Sequence, residues 1–156
     1  DTYIEGQVPA KGFLTLADEI AAVEAVNKKL GADVGIVINW GRSVIEARSE
    51  SGAIEHINQA KNAGVLAGVM FSGVSDQDTP YGTWADTHMP AAPSANATIG
   101  AEGSLMREAQ IQQCLQAAGG KDLPVIGVKI GIRPKDETVA KRVAYNQAVL
   151  AMIDRA

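Results

Sequence analysis

The chain has 156 residues and a formal net charge of −4, with 46% hydrophobic and 21% charged residues. This balance is typical of one globular domain and excludes a disordered or collagen-like chain. The acidic charge and the lack of a run rich in Lys and Arg argue against nucleic acid or an anionic membrane as a partner. Because the single cysteine, Cys114, cannot form an internal disulfide and no apolar run is long enough to span a membrane, we expect a cytoplasmic protein.

The first predicted element is an amphipathic helix over residues 16–30. Thr15 and Asp18 have the spacing of a helix cap, apolar residues recur at a period close to that of an α-helix, and Gly31 ends the pattern. The apolar run 34–38 follows directly. It is short and rich in β-branched residues, which predicts a strand buried on both faces.

The same order of helix and strand continues along the chain. The further predicted segments are a helix from Ser49 to Gly64, a strand over 65–71, a helix over 104–118, a strand over 125–132 and a last helix from Pro134 to Ile153. This alternation predicts an α/β protein with parallel strands, because each return to the sheet passes through a covering helix. A long excursion over residues 74–103 separates the second strand from the next helix, and we expect functional residues there.

Two architectures fit parallel β/α repeats, an open doubly wound sheet and a closed eight-stranded barrel. The sequence contains no GxGxxG or Walker A motif, so we expect no nucleotide cofactor. Glycines within the predicted strands are typical of places where backbones approach closely. Three strands make only part of a barrel, and the first residues of the chain have the pattern of a loop with no predicted helix or strand before them. We therefore expect residues 1–156 to form a single partial barrel domain that lacks its N-terminal half.

Ligands bind beyond the carboxyl ends of the strands in both architectures. Asn39, Trp40 and Arg42 follow the first strand and offer an amide that can orient a hydroxyl, a flat apolar face and a guanidinium that binds carboxylate or phosphate. This combination predicts contacts to a small polyhydroxylated or anionic ligand. The alternative is structural, with Trp40 filling the mouth of the barrel and Arg42 in an ion pair.

The excursion after the second strand contains three Asp residues, His88 and Trp84. Asp86 and His88 are two residues apart, so an extended segment would point both side chains to the same side. One interpretation is that they share a divalent cation. Another is that His88 acts as an acid or base whose tautomer Asp86 fixes. The third is a polar surface loop with no chemical role.

Lys129 interrupts the apolar run of the third predicted strand, where a charge is costly unless it is paired or points into a polar site. Arg133, at the carboxyl end of the same strand, can face that site too. The alternative for Lys129 is an outward position on an edge strand. His56 and Cys114 lie in predicted helices beside apolar residues, and we interpret both as structural.

Four blocks of the sequence resemble the C-terminal half of the xylose-isomerase-like TIM barrels, a superfamily that includes sugar isomerases, sugar-phosphate epimerases and endonuclease IV. The blocks are PAKGFL at 9–14, GIVINWGRS at 35–43, MFSG at 70–73 and YGTWADTHMP at 81–90. The resemblance covers nearly the whole chain. It implies a (β/α)₈ barrel to which this chain contributes about three strands and four helices.

Enzymes of this superfamily typically hold a divalent metal, often Mn²⁺, Mg²⁺, Co²⁺ or Zn²⁺, and move a proton or hydride between neighbouring carbons of a sugar. The resemblance implies a metal-assisted isomerase or epimerase of a small carbohydrate, sugar acid or sugar phosphate, with Asp86 and His88 as the best matches to the metal ligands. The complete predicted site has His88, Asp86 and Lys129 as catalytic groups and Asn39, Trp40, Arg42, Trp84 and Arg133 as substrate contacts.

The sequence departs from the superfamily at the ends of its strands. Lys129 and Arg133 stand where an acidic residue is common, and the carboxylate expected just ahead of Asp1 lies outside the chain. This incomplete ligand set favours a non-catalytic carbohydrate-binding barrel as the alternative. A nuclease similar to endonuclease IV is a third possibility, against which the acidic charge counts. Because three strands leave two open edges, we expect a homo-oligomer or association with the missing half.

Overall fold

The structure is a computed structural model and describes Tyr3, Gly6 and residues 14–156. The elements in chain order are α1 (Leu16–Leu30), β1 (Ile36–Asn39), α2 (Trp40–Ala47), α3 (Ser51–Asn62), β2 (Leu66–Phe71), α4 (Glu108–Ala118), β3 (Val125–Val128) and α5 (Val139–Asp154). The three strands form one parallel sheet in the order β1-β2-β3. The predicted α/β class with parallel strands is therefore confirmed.

The bounds of α1 agree with the sequence pattern because both ends have strong local signals. At its start, Thr15 Oγ1 accepts a hydrogen bond from the backbone N–H of Asp18 at 3.1 Å, which satisfies one of the free N–H groups of the first turn. At its end, Gly31 has a φ of +61°, a left-handed conformation that glycine adopts without strain.

Helix α2 is absent from the prediction, which interprets its residues as a segment beyond the first strand. Asn39 begins the helix, since its Oδ1 accepts a hydrogen bond from the backbone N–H of Arg42 at 3.2 Å. Trp40, Val44 and Ile45 are buried. Three apolar residues within two turns are too few to show a helical period, so the sequence pattern does not reveal this helix.

Predicted elements that are longer than the observed ones include the third strand, the third helix and the last helix, which begins at Val139 instead of Pro134 because Thr138 caps it. The bounds of the first two have a common cause. β3 ends at Val128, and after Lys129 donates its backbone N–H to the carbonyl of Phe71, β2 offers no further residue for pairing. Helix α4 begins at Glu108 because the residues before it run across the protein, where Leu105 donates its backbone N–H to the carbonyl of Val74. Both bounds are set by contacts between distant parts of the chain.

The hydrophobic core lies between the helices and one face of the sheet. Val69 and Phe71 of β2 are fully buried there, together with Ile57 of α3 and Ile111 of α4. Cys114 of α4 is 1% exposed, and burial raises the pKa of its thiol to about 12, in agreement with its interpretation as a core residue. No helix in the described part of the chain is long and apolar enough to cross a membrane.

The other face of the sheet is less covered than predicted. Val37 lies between Ile36 and Ile38, which pack against the core, but is itself 39% exposed. Val125, at the start of β3, is 37% exposed. The expectation that β1 is buried on both faces is therefore wrong for the described residues. The reason is that the helices supply apolar partners to one face, whereas Val37 projects from the other.

Gly68 marks a close approach between backbones, as predicted, whereas the close neighbour of Gly127 is the side chain of Met70. A Cβ atom on Gly68 of β2 would overlap the backbone carbonyl of Val125 on β3. In α2, a Cβ on Gly41 would overlap the carbonyl of Ser72, which directly follows β2. Glycine at position 41 therefore brings the first turn of α2 against the end of β2, where the candidate site is formed.

Candidate functional site

A loop returns from β2 to the carboxyl end of the sheet and is fixed there by backbone hydrogen bonds. Gly73 and Met89 donate N–H groups to each other's carbonyl oxygens at 2.8 and 3.0 Å. The backbone N–H of Gly131, in the segment after β3, donates to the carbonyl of His88 at 2.6 Å. The structure therefore brings the end of this loop and the segment after β3 together, at the end of the sheet where parallel α/β proteins bind ligands.

Asp86 is the centre of the polar cluster at this position. Its side chain is only 7% exposed, and its Oδ2 accepts a hydrogen bond from Arg42 Nε at 3.1 Å. Its Oδ1 lies 3.1 Å from His88 Nδ1. Burial raises the pKa of the Asp86 carboxyl, but nearby positive charge, including that of Arg42 and His88, lowers it more strongly. The net pKa is below the ordinary value of 3.8, so Asp86 is an anion at neutral pH.

The surroundings of His88 favour one tautomer of its ring. Because Asp86 is ionised and its Oδ1 lies 3.1 Å from His88 Nδ1, the attraction of the carboxylate favours the tautomer with the proton on Nδ1. The buried Ser72 Oγ also lies 3.1 Å from this Nδ1. In the neutral ring, Nε2 is then the nitrogen that can accept a proton. The His88 side chain remains 27% exposed, which suits a group that exchanges protons with a ligand.

The backbone of His88 is held in an unusual conformation. Its φ is +61°, in the left-handed region that side chains other than glycine rarely adopt. Such a conformation persists only where the surrounding structure enforces it. Here the bonds of Met89 to Gly73 and of the His88 carbonyl to Gly131 fix the chain on either side of the ring.

The arrangement of Asp86 and His88 fits an acid–base pair better than a shared metal site. Since Nδ1 faces the carboxylate, an ion bound at roughly 2.1 Å from Nε2 would lie on the opposite side of the ring from Asp86. Among the described residues, no group of three His, Cys, Asp or Glu side chains could hold a metal ion. The pair does not form a common ligand set for a divalent metal in this conformation.

Three predicted substrate contacts have mainly structural surroundings. Trp40 is completely buried in the core, which favours the alternative that it fills space below the site. Asn39 caps α2 through its side-chain oxygen. Trp84 is half-buried and packs partly against the core, with the guanidinium carbon of Arg48 5.0 Å from the centre of its ring. One face of the Trp84 ring is therefore occupied by Arg48.

The two predicted cations beyond β3 both lie in the segment that bonds to the carbonyl of His88. Lys129 is exposed and continues the pairing of β3 by one residue. Arg133 donates its backbone N–H to the hydroxyl of Tyr81 at 3.0 Å, and its guanidinium carbon lies 5.9 Å from the centre of the Tyr81 ring. Burial is the main cause that raises the pKa of Tyr81. The phenol is therefore neutral and serves as a stacking platform.

The sequence analysis missed Ser72 and Tyr81 as parts of the site. Ser72 could have been found by its position, because it is the first residue beyond a buried strand and so lies at the ligand-binding end of the sheet. Tyr81 has no comparable signal. Its contact with Arg133 joins residues separated by 52 positions, which only the tertiary structure reveals.

Arg42 also lines a cavity of about 110 Å³ that contains a second polar cluster. Glu19, Glu46 and His56 line the same cavity, and His56 Nδ1 lies 2.9 Å from Ser43 Oγ. Burial raises the pKa of both glutamates above 4.5; Arg42 offsets part of this effect at Glu19, and Glu19 adds to it at Glu46. Burial lowers the pKa of His56. Arg42 therefore has acidic groups near it besides its ion-pair partner.

Comparisons with known proteins give a family and one relative. The family model described as a domain of unknown function, DUF4862, matches residues 1–145. An uncharacterized protein of Salmonella typhimurium strain LT2, STM3670, is 37% identical over 125 residues, which is 80% of this chain and 36% of the Salmonella protein. This chain thus spans about a third of the length of that relative. No solved structure gives a significant match.

Proposed function

The chain belongs to the DUF4862 family, and we propose that it forms part of an isomerase or epimerase in which His88 transfers a proton of a small carbohydrate. The observation that carries this proposal is the pair of Asp86 and His88 at the carboxyl end of the sheet. A histidine whose one ring nitrogen lies against a buried carboxylate is oriented so that its other nitrogen can act as base and acid. The carbohydrate substrate is an expectation from the resemblance to the xylose-isomerase-like barrels.

In the proposed isomerisation, neutral His88 accepts a proton at Nε2 from the carbon next to the substrate carbonyl. The electron pair of the broken C–H bond moves into a C–C double bond, and the carbonyl oxygen gains negative charge. Asp86 stabilises the imidazolium that forms, because its carboxylate lies 3.1 Å from Nδ1. The hydroxyl proton on the deprotonated carbon moves to the former carbonyl oxygen through solvent water, and the imidazolium returns its proton to the neighbouring carbon, so that the carbonyl and the hydroxyl exchange places. An epimerase would need a second acid on the opposite face of the same carbon.

We also propose that the three strands are the C-terminal part of a (β/α)₈ barrel. The parallel order β1-β2-β3 is that of consecutive barrel strands. In the described part of the chain, β1 and β3 are both edge strands, and each has an exposed valine, Val37 or Val125. Further strands on both sides would pair these edges and cover the apolar side chains.

We expect the 156-residue chain to form homo-oligomers in solution, because open parallel edges pair readily with other strands. Multi-angle light scattering of the purified chain measures its mass. Val37→Lys places a charge on the exposed apolar position and should lower the oligomer mass. Lys28→Gln, on the exposed last turn of α1, is the matched control and should not change it. A chain that remains monomeric at high concentration would count against the proposed barrel.

Exchange of hydrogen between substrate and solvent tests the proton-transfer function. The protein is incubated in D₂O with a panel of aldoses, ketoses, sugar acids and sugar phosphates, and NMR follows the C–H signal next to the carbonyl. We expect catalysed loss of this signal for at least one compound of the panel. A parallel sample with a chelator tests the metal hypothesis, since exchange that stops and is restored by Mn²⁺ or Mg²⁺ requires a divalent ion.

The alternative is a non-catalytic carbohydrate-binding protein. The observation that favours it is the position of Asp86, whose two oxygens face Arg42 and His88 in a network that can be purely structural. Isothermal titration with the same panel separates the two functions. Saturable binding of a sugar without exchange in D₂O would support the binding protein and contradict the isomerase.

A further inference from the structure

The three cations that the sequence places near the site differ sharply in their surroundings. Arg42 is paired with Asp86 at 3.1 Å and lines the cavity that also contains Glu19 and Glu46. An anion placed on Arg42 would compete with Asp86 and approach further carboxyl groups. Arg42 is therefore poorly suited to hold an anionic ligand, although its guanidinium alone would suggest that role.

The two features that make Arg42 unsuitable, its ion pair and its nearby carboxyl groups, do not apply to Lys129. The residues on both sides of it, Val128 and Ile130, pack partly against the core, whereas Lys129 is exposed. Alternation along an extended segment therefore places Lys129 on the opposite face of the sheet from the core, the face to which Val37 belongs. Among the ion pairs of the described residues, none includes Lys129. Its charge is available to a ligand at the carboxyl end of the sheet.

Arg133 is held in place without a carboxylate. Its guanidinium lies over the Tyr81 ring, and its backbone N–H bonds to the Tyr81 hydroxyl. A guanidinium carries its N–H groups at the edge of its plane, where they can donate in pairs to carboxylate or phosphate oxygens. Within the described chain Arg133 likewise forms no ion pair.

Both residues are connected to the proposed proton-transfer group by the backbone. Gly131, midway between Lys129 and Arg133, donates its N–H to the carbonyl of His88. The backbone of Lys129 is bonded to Phe71, the residue before Ser72, whose hydroxyl reaches the His88 ring. These bonds fix the segment 129–133 next to His88.

We propose that Lys129 and Arg133 form an anion-binding site that holds a carboxylate or phosphate group of the substrate, and that Arg42 does not take part. The inference rests on the proposed function only in placing the reacting carbon at His88. It assigns the anionic end of the ligand to the side of β3 and gives Lys129 a binding role instead of a role in proton transfer. Sugar acids and sugar phosphates are then preferred to neutral sugars.

Titration of the protein with inorganic phosphate and with acetate, followed by backbone NMR shifts, tests the site without any sugar. We expect saturable shifts in residues 129–133 and weaker binding, by about fivefold to tenfold, in Lys129→Gln and in Arg133→Gln. Arg133→Lys should recover only part of the affinity, because it keeps the charge but loses the fork of donors. Lys28→Gln on α1 is the control and should bind as the wild type does.

The comparison of phosphate with acetate distinguishes a phosphorylated substrate from a sugar acid. The proposed anion site would be wrong if the wild type, Lys129→Gln and Arg133→Gln bound each anion with the same affinity. It would also be wrong if the wild type showed no saturable binding. Melting temperatures close to that of the wild type confirm that the variants are folded. If phosphate binding depends on Lys129 and Arg133 but no sugar exchanges hydrogen, the anion site stands and the isomerase fails.

Discussion

Replacing His88 with glutamine is expected to lower the rate of hydrogen exchange into the substrate by about 10²- to 10⁴-fold. Glutamine has a similar size and can still form a hydrogen bond with Ser72, but its amide cannot take up and release a proton near neutral pH. The rate of deuterium incorporation, measured for both proteins at the same concentration and pH, gives the effect directly. An unchanged rate would exclude His88 as the proton-transfer group.

His56→Gln is the matched control for this experiment, because His56 is the only other histidine in the sequence. It lies on α3, where its Nδ1 is 2.9 Å from Ser43 Oγ and its Nε2 is 3.8 Å from Glu46 Oε1. It forms no contact with Asp86. We therefore expect His56→Gln to keep the exchange rate of the wild type. An equal loss in both variants would indicate damage to the fold instead of removal of a proton carrier.

The predictable parts of this fold are those determined by neighbouring residues. Thr15 and Gly31 specify the two ends of α1 because a capping oxygen and a left-handed glycine act within one helical turn. The positions of β1 and β2 were predicted to within two residues for a similar reason, since short runs rich in β-branched residues favour strands, although β1 is not buried on both faces. The spacing of Asp86 and His88 likewise predicted that these side chains could act together.

Features that depend on distant contacts were not predictable. The end of β3 is set by the end of β2, and the start of α4 by the bond between Leu105 and Val74. The loop that carries His88 takes its shape from the pairing of Gly73 with Met89. No local pattern encodes these pairs, because each joins residues that are far apart in the chain.

The difference between Arg42 and the two cations beyond β3 has the same origin. From the sequence alone, Arg42 and Arg133 are equivalent candidates for binding an anion. Arg42 is separated from Asp86 by 44 positions and Arg133 from Tyr81 by 52, so an acidic partner for one and an aromatic partner for the other appear only in the fold. The electrostatics of the site therefore follow from topology more than from the local sequence.

Trp40→Ala is expected to have the largest effect on stability, with a loss of about 3–5 kcal/mol in the free energy of unfolding. Trp40 is completely buried, and its removal leaves a large cavity beneath the first turn of α2, beside the equally buried Val44. Chemical denaturation followed by far-UV circular dichroism measures the loss. Since the free energy of unfolding of native domains is about 5–15 kcal/mol, this loss is a large fraction of it, and the unfolding midpoint should fall to a clearly lower denaturant concentration.

Trp40→Phe keeps the interpretation testable if the alanine variant does not fold. Phenylalanine retains an aromatic ring in the core, so we expect a smaller loss of stability and unchanged binding of phosphate, acetate and sugars. The matched control is Trp84→Phe. Because Trp84 is only half-buried, this substitution should lower the free energy of unfolding by less than Trp40→Phe does. If Trp40 instead contacts the substrate, Trp40→Phe would weaken sugar binding while the unfolding curve stays the same. The two outcomes differ because a core residue acts on the population of folded protein, whereas a ligand contact acts on the affinity of protein that is already folded.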